Sequence, residues 1–435
     1  MPYKDIFDHK GPFLYVLNSL GHILSPACGI WFVELIFLLF TVFFAYKTAR
    51  LYCNTALSCL VVTQFIATLA GYFVTGNTTE EYALPFIMFA VYVFIDYFQN
   101  GNISKLRLIG FGFGFGAICM LRPNMISVWV VFCLAVFISC LIKKSYKELL
   151  SFALLFLLGT SCIILPLLLW LLSEHALKAF WDCYFIFNFN YASAPFAGRV
   201  IVLFTFLLQY MLLICLSIVV YFIIQKKSTA FHWIYLAAML FSLLMLSMSG
   251  FVFRHYFMVM LPLFVYPCAA LLAHLHKKHP SQKLMIYSCT IIFIICSTAT
   301  LSLVPNGPFY LTSEYTKNTS DPMLREMIDC VKDNTEPTDE ILICANYCAV
   351  YRFSERRPST IKYMFIPPLD RVPQEMKDDY IRELSRNKPR LILLETFYSF
   401  PQLETFLKEN HYEKISTIER PSPLRPIIVD IYTAP

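Results

Sequence analysis

The sequence predicts an α-helical polytopic membrane protein of about ten transmembrane helices, followed by a small C-terminal α/β domain. Its 435 residues are 58% apolar and 15% charged, with a mean hydropathy of +0.60, whereas soluble domains usually carry roughly 25% charged residues. Only nine acidic residues precede Pro305, and the other twenty follow it. This change in composition predicts a membrane domain over residues 1–305 and a water-soluble domain over residues 306–435.

Apolar runs give the positions of the predicted spans, since a spanning helix needs about 20 mostly apolar residues. The runs are 24–45, 55–75, 83–98, 108–121, 124–142, 149–172, 200–224, 231–249, 255–275 and 284–304. The C-terminal part instead alternates helical patterns with short buried strands: helices at 323–331, 371–384 and 400–407, and strands at 341–344, 391–394 and 427–432. Such alternation predicts a partly parallel sheet.

Lysine and arginine residues predict the orientation, because short cytoplasmic loops carry an excess of them. One set of alternate loops holds twelve: Lys47, Arg50, Lys105, Arg107, Lys143, Lys144, Lys147, Lys226, Lys227, Lys277, Lys278 and Lys283. The opposite side holds six: Lys4, Lys10, Arg122, Lys178, Arg199 and Arg254. The sequence therefore predicts that both termini, and with them the C-terminal domain, are non-cytoplasmic.

Ionisable residues near the membrane gather on the predicted outer side, and such residues are costly and often functional. They come from four segments: Asp5, Asp8, His9 and Lys10; Glu80 and Glu81 in the loop before a span; Arg122; and Arg254, His255 and Tyr256. A carboxylate can deprotonate an acceptor hydroxyl or hold a divalent metal, while lysine and arginine can bind a phosphate. The combination suits a reaction whose leaving group is a lipid-linked phosphate. Alternatively, these are solvated loop residues and helix-end anchors.

Four further features of the sequence are an acidic residue within a span, an aromatic segment, a run of alternate glycines and two nearby cysteines. Glu34, inside the first span, either makes a structural hydrogen bond between helices or takes part in catalysis. The aromatic residues of 180–196 form either a helix at the membrane surface or one wall of a groove for a lipid tail. Alternate glycines over 110–116 predict close helix approach. Cys344 and Cys348 could form a disulfide if their side of the membrane is oxidising.

The motif Asp8-His-Lys-Gly-Pro12, with its flanking residues 3–21, resembles the first outer loop of GT-C membrane glycosyltransferases. The enzymes that it resembles are the protein O-mannosyltransferase and aminoarabinose-transferase-like enzymes, of glycosyltransferase family 39 and its bacterial relatives. Three supporting stretches follow in the expected order: Thr79-Glu-Glu-Tyr-Ala-Leu-Pro85, Leu121-Arg-Pro-Asn124 and Arg254-His-Tyr256. The tail, with Phe353-Ser-Glu-Arg-Arg-Pro-Ser359 and Lys388-Pro-Arg-Leu-Ile392, is similar to the terminal domain of many bacterial members.

The resemblance implies a GT-C-like fold and transfer of a sugar from a polyprenyl-phosphate donor to a lipid, glycan or protein acceptor. The reaction would take place at the outer face of a bacterial-type inner membrane, with membrane lipids as further partners and no nucleic acid. Lys10 matches the position near the donor phosphate, and Glu80 with Glu81 matches an acidic pair beside the site. Together with the charge argument, the candidates are Asp8, Glu80 and Glu81 for catalysis and Lys10, Arg122 and Arg254 for phosphate, with Asp5, His9, His255 and Tyr256 nearby. Whether a divalent metal takes part, and which sugar and acceptor are used, stays open.

The sequence departs from the family pattern at its start. In relatives a helix and an acidic outer-loop residue precede the motif, and these would lie before Met1. We therefore expect either that Met1 is internal to a longer protein, or that the chain is a divergent or inactive member and thus a membrane scaffold. The other functional class is a lipid-linked saccharide flippase or transporter. Transporters usually show repeats and helices broken near the midplane, whereas here the polar residues lie at one face.

Overall fold

The computed structural model describes residues 1–73, 76–101, 103–191, 196–210, 213–214, 230–248, 250, 253–278, 281, 287, 290, 321–345, 347–364, 374–421 and 426–435. The chain forms two compact units. The helical unit consists of Lys10–Trp170 and Ala194–Tyr310, and the tail unit of Met1–His9, Leu171–Ser193 and Leu311–Pro435. The tail unit therefore includes two segments that lie before the boundary predicted at residue 305.

The first 278 residues are mainly helical. The helices are α1 (Pro12–Leu24), α2 (Gly29–Arg50), α3 (Thr55–Ala70), α4 (Thr79–Asn100), α5 (Lys105–Cys119), α6 (Ser127–Ile142), α7 (Tyr146–Ser173), α8 (Leu177–Phe180), α9 (Phe187–Tyr191), α10 (Phe196–Gln209), α11 (Ala230–Ser247) and α12 (Leu261–Lys278). A π-helical turn (Trp181–Ile186) joins α8 to α9, and 3₁₀ segments (Pro123–Met125 and Arg254–Met260) precede α6 and α12.

Within the part of the chain that the structure describes, five helical stretches are long and apolar enough to cross a membrane: Gly29–Arg50, Thr79–Asn100, Tyr146–Ser173, Ala230–Ser247 and His255–Lys278. Shorter apolar helices are Pro12–Leu24, Thr55–Ala70, Ser127–Ile142 and Phe196–Gln209. Most of the predicted spans therefore correspond to apolar helices, and the prediction of a polytopic helical membrane protein is confirmed. The predicted span 284–304, apart from residues 287 and 290, and part of the span 200–224 lie outside the described residues.

Helix α1 is an element that the span prediction did not separate. The first span was predicted from residue 24, whereas α2 begins at Gly29. The chain turns between them at Ser25 and Pro26, because proline disfavours a helical conformation in the residue before it. Helix α1 is also amphipathic, with Phe13 buried and Ile23 exposed, which an apolar window does not distinguish from the beginning of a span.

Helices α5 and α7 approach each other closely at glycines. A Cβ added to Gly112 would lie 2.0 Å from the Phe156 carbonyl oxygen, and one added to Gly116 would lie 2.7 Å from that of Thr160. The Thr160 hydroxyl also donates to the Gly112 carbonyl at 3.1 Å. The close approach predicted for this glycine run is therefore confirmed, since only residues without a side chain let two backbones meet at these distances.

The C-terminal part of the tail unit contains a five-stranded sheet within the described residues. Its strands are β1 (Glu340–Cys344), β2 (Arg357–Pro358), β3 (Leu391–Glu395), β4 (Glu413–Arg420) and β5 (Ile427–Thr433), and its helices are α13 (Pro322–Asn334), α14 (Ala349–Ser354), α15 (Gln374–Arg386) and α16 (Pro401–Glu409). The strand order is β2-β1-β3-β5-β4, with β1 parallel to β2 and β3, and β5 antiparallel to β3 and β4. This confirms a small α/β domain with a partly parallel sheet.

Two further sequence predictions concern the tail unit. Cys344 and Cys348 are free thiols, and the Cys344 Sγ lies 3.0 Å from the Tyr380 hydroxyl oxygen. No disulfide therefore joins the two in this structure, and burial raises the pKa of the Cys344 thiol to about 12. The aromatic segment is helical, with Phe180 buried and Trp181 55% exposed, and this amphipathic pattern is typical of a helix at a surface.

Candidate active site at the start of helix α4

The two adjacent glutamates lie in the first turn of α4. Thr78 and Glu81 form a capping box: the Thr78 hydroxyl accepts from the Glu81 N–H at 3.4 Å, and the Glu81 carboxylate accepts from the Thr78 N–H at 3.0 Å. Such a box satisfies backbone donors that a helix start leaves unpaired. The prediction that Glu80 and Glu81 lie in a loop is therefore wrong, because the cap extends the helix to include them. Since consecutive helical side chains point in different directions, the two carboxylates have different neighbours.

Glu80 faces positively charged groups. Its side chain is 2% exposed, and its Oε1 accepts a hydrogen bond from the Arg122 guanidinium. Its Oε2 accepts from the Thr79 hydroxyl at 2.9 Å and lies 3.9 Å from the His255 Nε2. The ammonium group of Lys10 is close enough to add a favourable electrostatic interaction. One buried carboxylate thus has two cations and an imidazole around it.

Arg122 lies between Glu80 and an aromatic ring. Its guanidinium carbon is 4.0 Å from the centroid of the Tyr256 ring, a distance typical of a cation–π interaction. The His255 ring meets the Tyr256 ring edge-on at 4.8 Å between centroids. Burial alone would lower the pKa of Arg122, but Tyr256 and Glu80 more than offset that effect and raise the pKa. The guanidinium therefore carries its charge throughout the pH range in which proteins fold.

Backbone contacts bring Lys10 to this cluster. The N–H of Gly11, the next residue, donates to the Leu121 carbonyl at 3.3 Å. A Cβ at Gly11 would lie only 2.0 Å from the Met120 carbonyl oxygen, so the chain can pass here only with glycine. Steric crowding therefore explains why the Asp8–Pro12 motif has a glycine at this position. It lets the residue before it lie next to the segment that carries Arg122.

Glu81 contacts a different acid, Glu34 of α2. Glu34 is 7% exposed, accepts from the Asn77 N–H at 3.2 Å, and is close enough to Glu81 for the two carboxyl groups to interact electrostatically. Gly76 leaves room for the pair, since a Cβ there would lie 3.1 Å from the Glu34 Oε2. Glu34 thus connects α2 to the cap of α4, which is the structural one of its two interpretations.

Among the described residues, no three histidine, cysteine, aspartate or glutamate side chains converge as metal ligands do. The groups that do converge are one carboxylate and several nitrogen donors. A donor set of this kind favours an anionic oxygen, such as that of a phosphate, over a cation.

The sequence of residues 1–302 matches the protein family described as "Putative competence-induced protein Ccs4 N-terminal domain". The chain belongs to this family. A comparison with curated protein sequences gives no match. These 302 residues include every segment of the cluster around Glu80.

Solved structures similar to this Ccs4-family chain include the following two. One is ArnT from Cupriavidus metallidurans bound to undecaprenyl phosphate, with a TM-score of 0.57 and 11% identity over 98% of this chain and 88% of that one. The other is the archaeal oligosaccharyltransferase AglB from Archaeoglobus fulgidus in complex with an inhibitory peptide and a dolichol-phosphate. Its TM-score is 0.45, with 12% identity over 96% of this chain and 65% of that one. The similarity to ArnT confirms the GT-C-like fold expected from the sequence.

The remaining predicted site residues of this Ccs4-family chain lie elsewhere or are only partly described. Asp5 is exposed, and its carboxylate pairs with the Met1 amino group at 2.7 Å. Asp8 and His9 belong to the tail unit, where the Asp8 carboxylate accepts from the His9 N–H at 2.6 Å. Arg254 begins a 3₁₀ segment, and its side chain lies outside the description. Their roles stay predictions.

Sequence reasoning did not single out Thr78 and Glu34 as partners of Glu81. The spacing Thr78-x-x-Glu81 is the sequence signature of a capping box, so the first partner was detectable. The second was not, because Glu34 precedes Glu81 by a separation that only tertiary packing closes. A single sequence carries no signal for such a pair.

Proposed function

We propose that this Ccs4-family chain transfers a sugar from a polyprenyl-phosphate donor to a lipid, glycan or protein acceptor at the outer face of the membrane. The cluster around Glu80 carries the proposal. A single buried carboxylate there faces the cations Arg122 and Lys10, so a phosphate would complete the charge balance through charge-assisted hydrogen bonds. The ArnT-like fold supports this donor class, since ArnT was solved with undecaprenyl phosphate bound.

The proposed reaction is a displacement at the anomeric carbon of the sugar. The acceptor hydroxyl oxygen attacks that carbon, the bond from the carbon to the phosphate oxygen breaks, and the polyprenyl phosphate leaves with the bonding electrons. The hydroxyl proton passes to a carboxylate. Lys10 and Arg122 stabilise the negative charge that develops on the departing phosphate, and fixed donors are most effective in a site that excludes water.

We assign the proton acceptor to Glu80, with Asp8 as the second candidate. Glu80 is the carboxylate whose Arg122 partner would be shared with an incoming phosphate, which leaves part of its hydrogen-bonding capacity for the acceptor hydroxyl. Glu81 is less suited because its oxygens serve the cap of α4 and the Glu34 carboxyl group. The Tyr256 ring, over which the Arg122 guanidinium lies, would hold the orientation of that group.

The lysine and arginine distribution supports the location. The opposite end of α4 leads to Lys105 and Arg107 in the first turn of α5. Because basic residues are in excess at the cytoplasmic ends of spans, this end would lie inside the cell. The first turn of α4, and Glu80 with it, would then lie at the outer face. From the same distribution we propose that the C-terminal domain also lies outside.

A direct test is sugar transfer by the purified chain in lipid nanodiscs. The protein is incubated with polyprenyl-phosphate-linked sugars, with and without a chelator of divalent metals, and the lipid and acceptor are analysed by mass spectrometry. We expect loss of sugar from the donor, slowed at least about 100-fold by Glu80→Gln. Asp96→Asn is the matched control, because Asp96 is another α4 carboxylate paired with an arginine.

Two other results would contradict the proposal. Passage of an intact lipid-linked sugar across the membrane, without release of the sugar, would favour the flippase alternative. Binding of the donor with no transfer to any acceptor class would favour an inactive family member.

A further inference from the structure

In the tail unit, aromatic contacts hold residues 3–7 on two sides. Tyr3 and Phe7 are buried. The Tyr3 ring packs on Phe180 with centroids 5.4 Å apart, and the Phe7 ring packs on Phe187 at 5.1 Å and on Tyr363 at 6.0 Å. This segment leads directly into the motif that begins at residue 8, so its placement decides where the motif starts.

Hydrogen bonds fix the backbone of the same segment. The Phe7 N–H donates to the Lys362 carbonyl at 2.6 Å, and the Asn188 side-chain amide donates to the His9 carbonyl at 2.9 Å. The His9 N–H donates in turn to the Asp8 carboxylate. Residues 7–9 are therefore bonded to the C-terminal part of the tail unit on one side and to α9 on the other.

Asp379 of α15 accepts hydrogen bonds from Lys362 and Tyr363, the two residues that contact Phe7. Its Oδ2 accepts from the Lys362 ammonium at 2.6 Å and from the Tyr363 hydroxyl at 2.5 Å. Although burial raises the pKa of Asp379, the hydrogen bonds from these two residues outweigh burial and hold the pKa below its usual value. At neutral pH the carboxylate is charged, and both bonds to it are charge-assisted.

We propose that Asp379 is a positioning residue for the motif segment 8–10. It acts through residues 362 and 363, which bond to Phe7 and pack against it. The inference rests on the proposed function, because it matters to the reaction only if Lys10 binds the donor phosphate. Misplacing a site group by about 1 Å can cost on the order of 100-fold in rate. A carboxylate that touches no substrate can therefore control a site through the chain that enters it.

Strand β5 offers a matched control residue, Asp430. Its Oδ1 pairs with the Lys414 ammonium at 2.7 Å and accepts from the Thr417 hydroxyl at 2.9 Å. Like Asp379, which also lies 3.6 Å from the Arg382 guanidinium of its own helix, it joins one lysine and one hydroxyl group. Those partners belong to the neighbouring strand β4, so the contacts of Asp430 connect two strands of the sheet and not the N-terminal segment.

The test compares Asp379→Ala with Asp430→Ala in the 435-residue chain, purified in detergent. Hydrogen exchange of the Phe7 amide reports the bond to residue 362, and titration with undecaprenyl phosphate reports affinity. For Asp379→Ala we expect faster exchange at Phe7 and a Kd about tenfold higher, equivalent to about 1.4 kcal/mol. Asp430→Ala should change neither. Tyr363→Phe keeps the ring on Phe7 and loses one hydrogen bond, so it should give an intermediate result, and it decides the matter if Asp379→Ala does not fold.

Faster exchange at Phe7 with an unchanged Kd would overturn the positioning role. Equal weakening of binding by Asp430→Ala would also overturn it, because any loss of tail stability would then suffice. If the unmodified chain does not bind undecaprenyl phosphate, the proposed function fails and the inference with it. The first two results require binding by the unmodified chain, so the two kinds of failure are distinguishable.

Discussion

Helix α4 carries a carboxylate–arginine pair near each of its ends, and in both pairs an aromatic ring lies against the guanidinium. At the first end Glu80 pairs with Arg122, which lies over Tyr256. At the other end Asp96 pairs with Arg107, whose guanidinium carbon lies 5.4 Å from the centroid of Tyr92. The two pairs share their chemistry but differ in burial and in the origin of their members.

The Asp96 pair is local and partly solvated. Arg107 is 42% exposed and begins the helix next in the chain, and the Asn100 side chain also donates to Asp96. The Glu80 pair is 2% and 22% exposed, and its surroundings come from four chain segments with an excess of nitrogen cations. Burying an ion pair often gives no net stability, because desolvation offsets the attraction. The buried pair therefore needs a reason other than stability, and the proposed binding of a phosphate would supply one.

The largest expected effect decides which end of α4 faces outside. Alkaline phosphatase is active only when exported, so its fusion to Pro435 should be active and its fusion after Lys144 inactive. The physical reason is the excess of lysine and arginine in the loops on the Arg107 side. Activity of each fusion is measured in intact cells and normalised to its expression. The reverse pattern would exchange the two ends and place the Glu80 site in the cytoplasm.

Removing the charges of both pairs tests the comparison directly. One double variant is Glu80→Gln/Arg122→Gln, and the other is Asp96→Asn/Arg107→Gln. Each removes both charges of its pair and leaves no single charge of that pair behind, so both variants should fold. Transfer from a polyprenyl-phosphate sugar should fall on the order of 100-fold in the first, as expected when donors at a developing charge are lost. The second should change transfer by less than about twofold, as a solvated pair contributes little. Equal losses would show that both pairs are merely structural.

Much of this comparison could be predicted from the sequence, but not which glutamate faces the cations. Apolar runs gave the spans, and buried runs such as Ile341–Cys344 gave the central strands. Strand β4 was missed because its residues are nearly all exposed, so no apolar run indicates it. The choice between Glu80 and Glu81 depends on where α4 begins, because the capping box sets the direction of each side chain. Hydropathy shows only where the apolar part of a helix begins.

Replacing Gly11 by alanine should lower sugar transfer by disturbing the site at the Glu80 end of α4, without affecting the Asp96 end. The new methyl group would collide with the Met120 carbonyl oxygen, so the segment that contains Lys10 would have to move. We expect transfer to fall about tenfold, since small displacements of site groups are costly. Gly110→Ala is the control, because its methyl group would meet only the far edge of the Phe89 ring, at 3.2 Å. If Gly110→Ala lowered transfer equally, the loss would reflect helix packing in general.

The smallest expected effect concerns the aromatic rings. Tyr256→Leu removes the ring beneath Arg122, and Tyr92→Leu removes the one beneath Arg107. A cation–π interaction is stronger where water is excluded, about 2 kcal/mol against about 0.5 kcal/mol at an exposed site. In Tyr256→Leu, Glu80 would still bind the guanidinium and keep part of its orientation, so the loss of affinity should be smaller than the full cation–π energy.

For Tyr256→Leu we therefore expect the Kd for undecaprenyl phosphate to rise about fivefold, equivalent to about 1 kcal/mol. Tyr92→Leu should leave that Kd within about twofold, because the Arg107 contact is solvated. Tyr256→Phe separates the ring from its hydroxyl: a Kd close to that of the unmodified chain would show that the ring acts through its face. A loss as large as that of Tyr256→Leu would show instead that the Tyr256 hydroxyl group, and not the face of the ring, orients Arg122. An unchanged Kd in Tyr256→Leu would mean that Glu80 alone fixes the guanidinium, and the two ends of α4 would then differ only in their carboxylates.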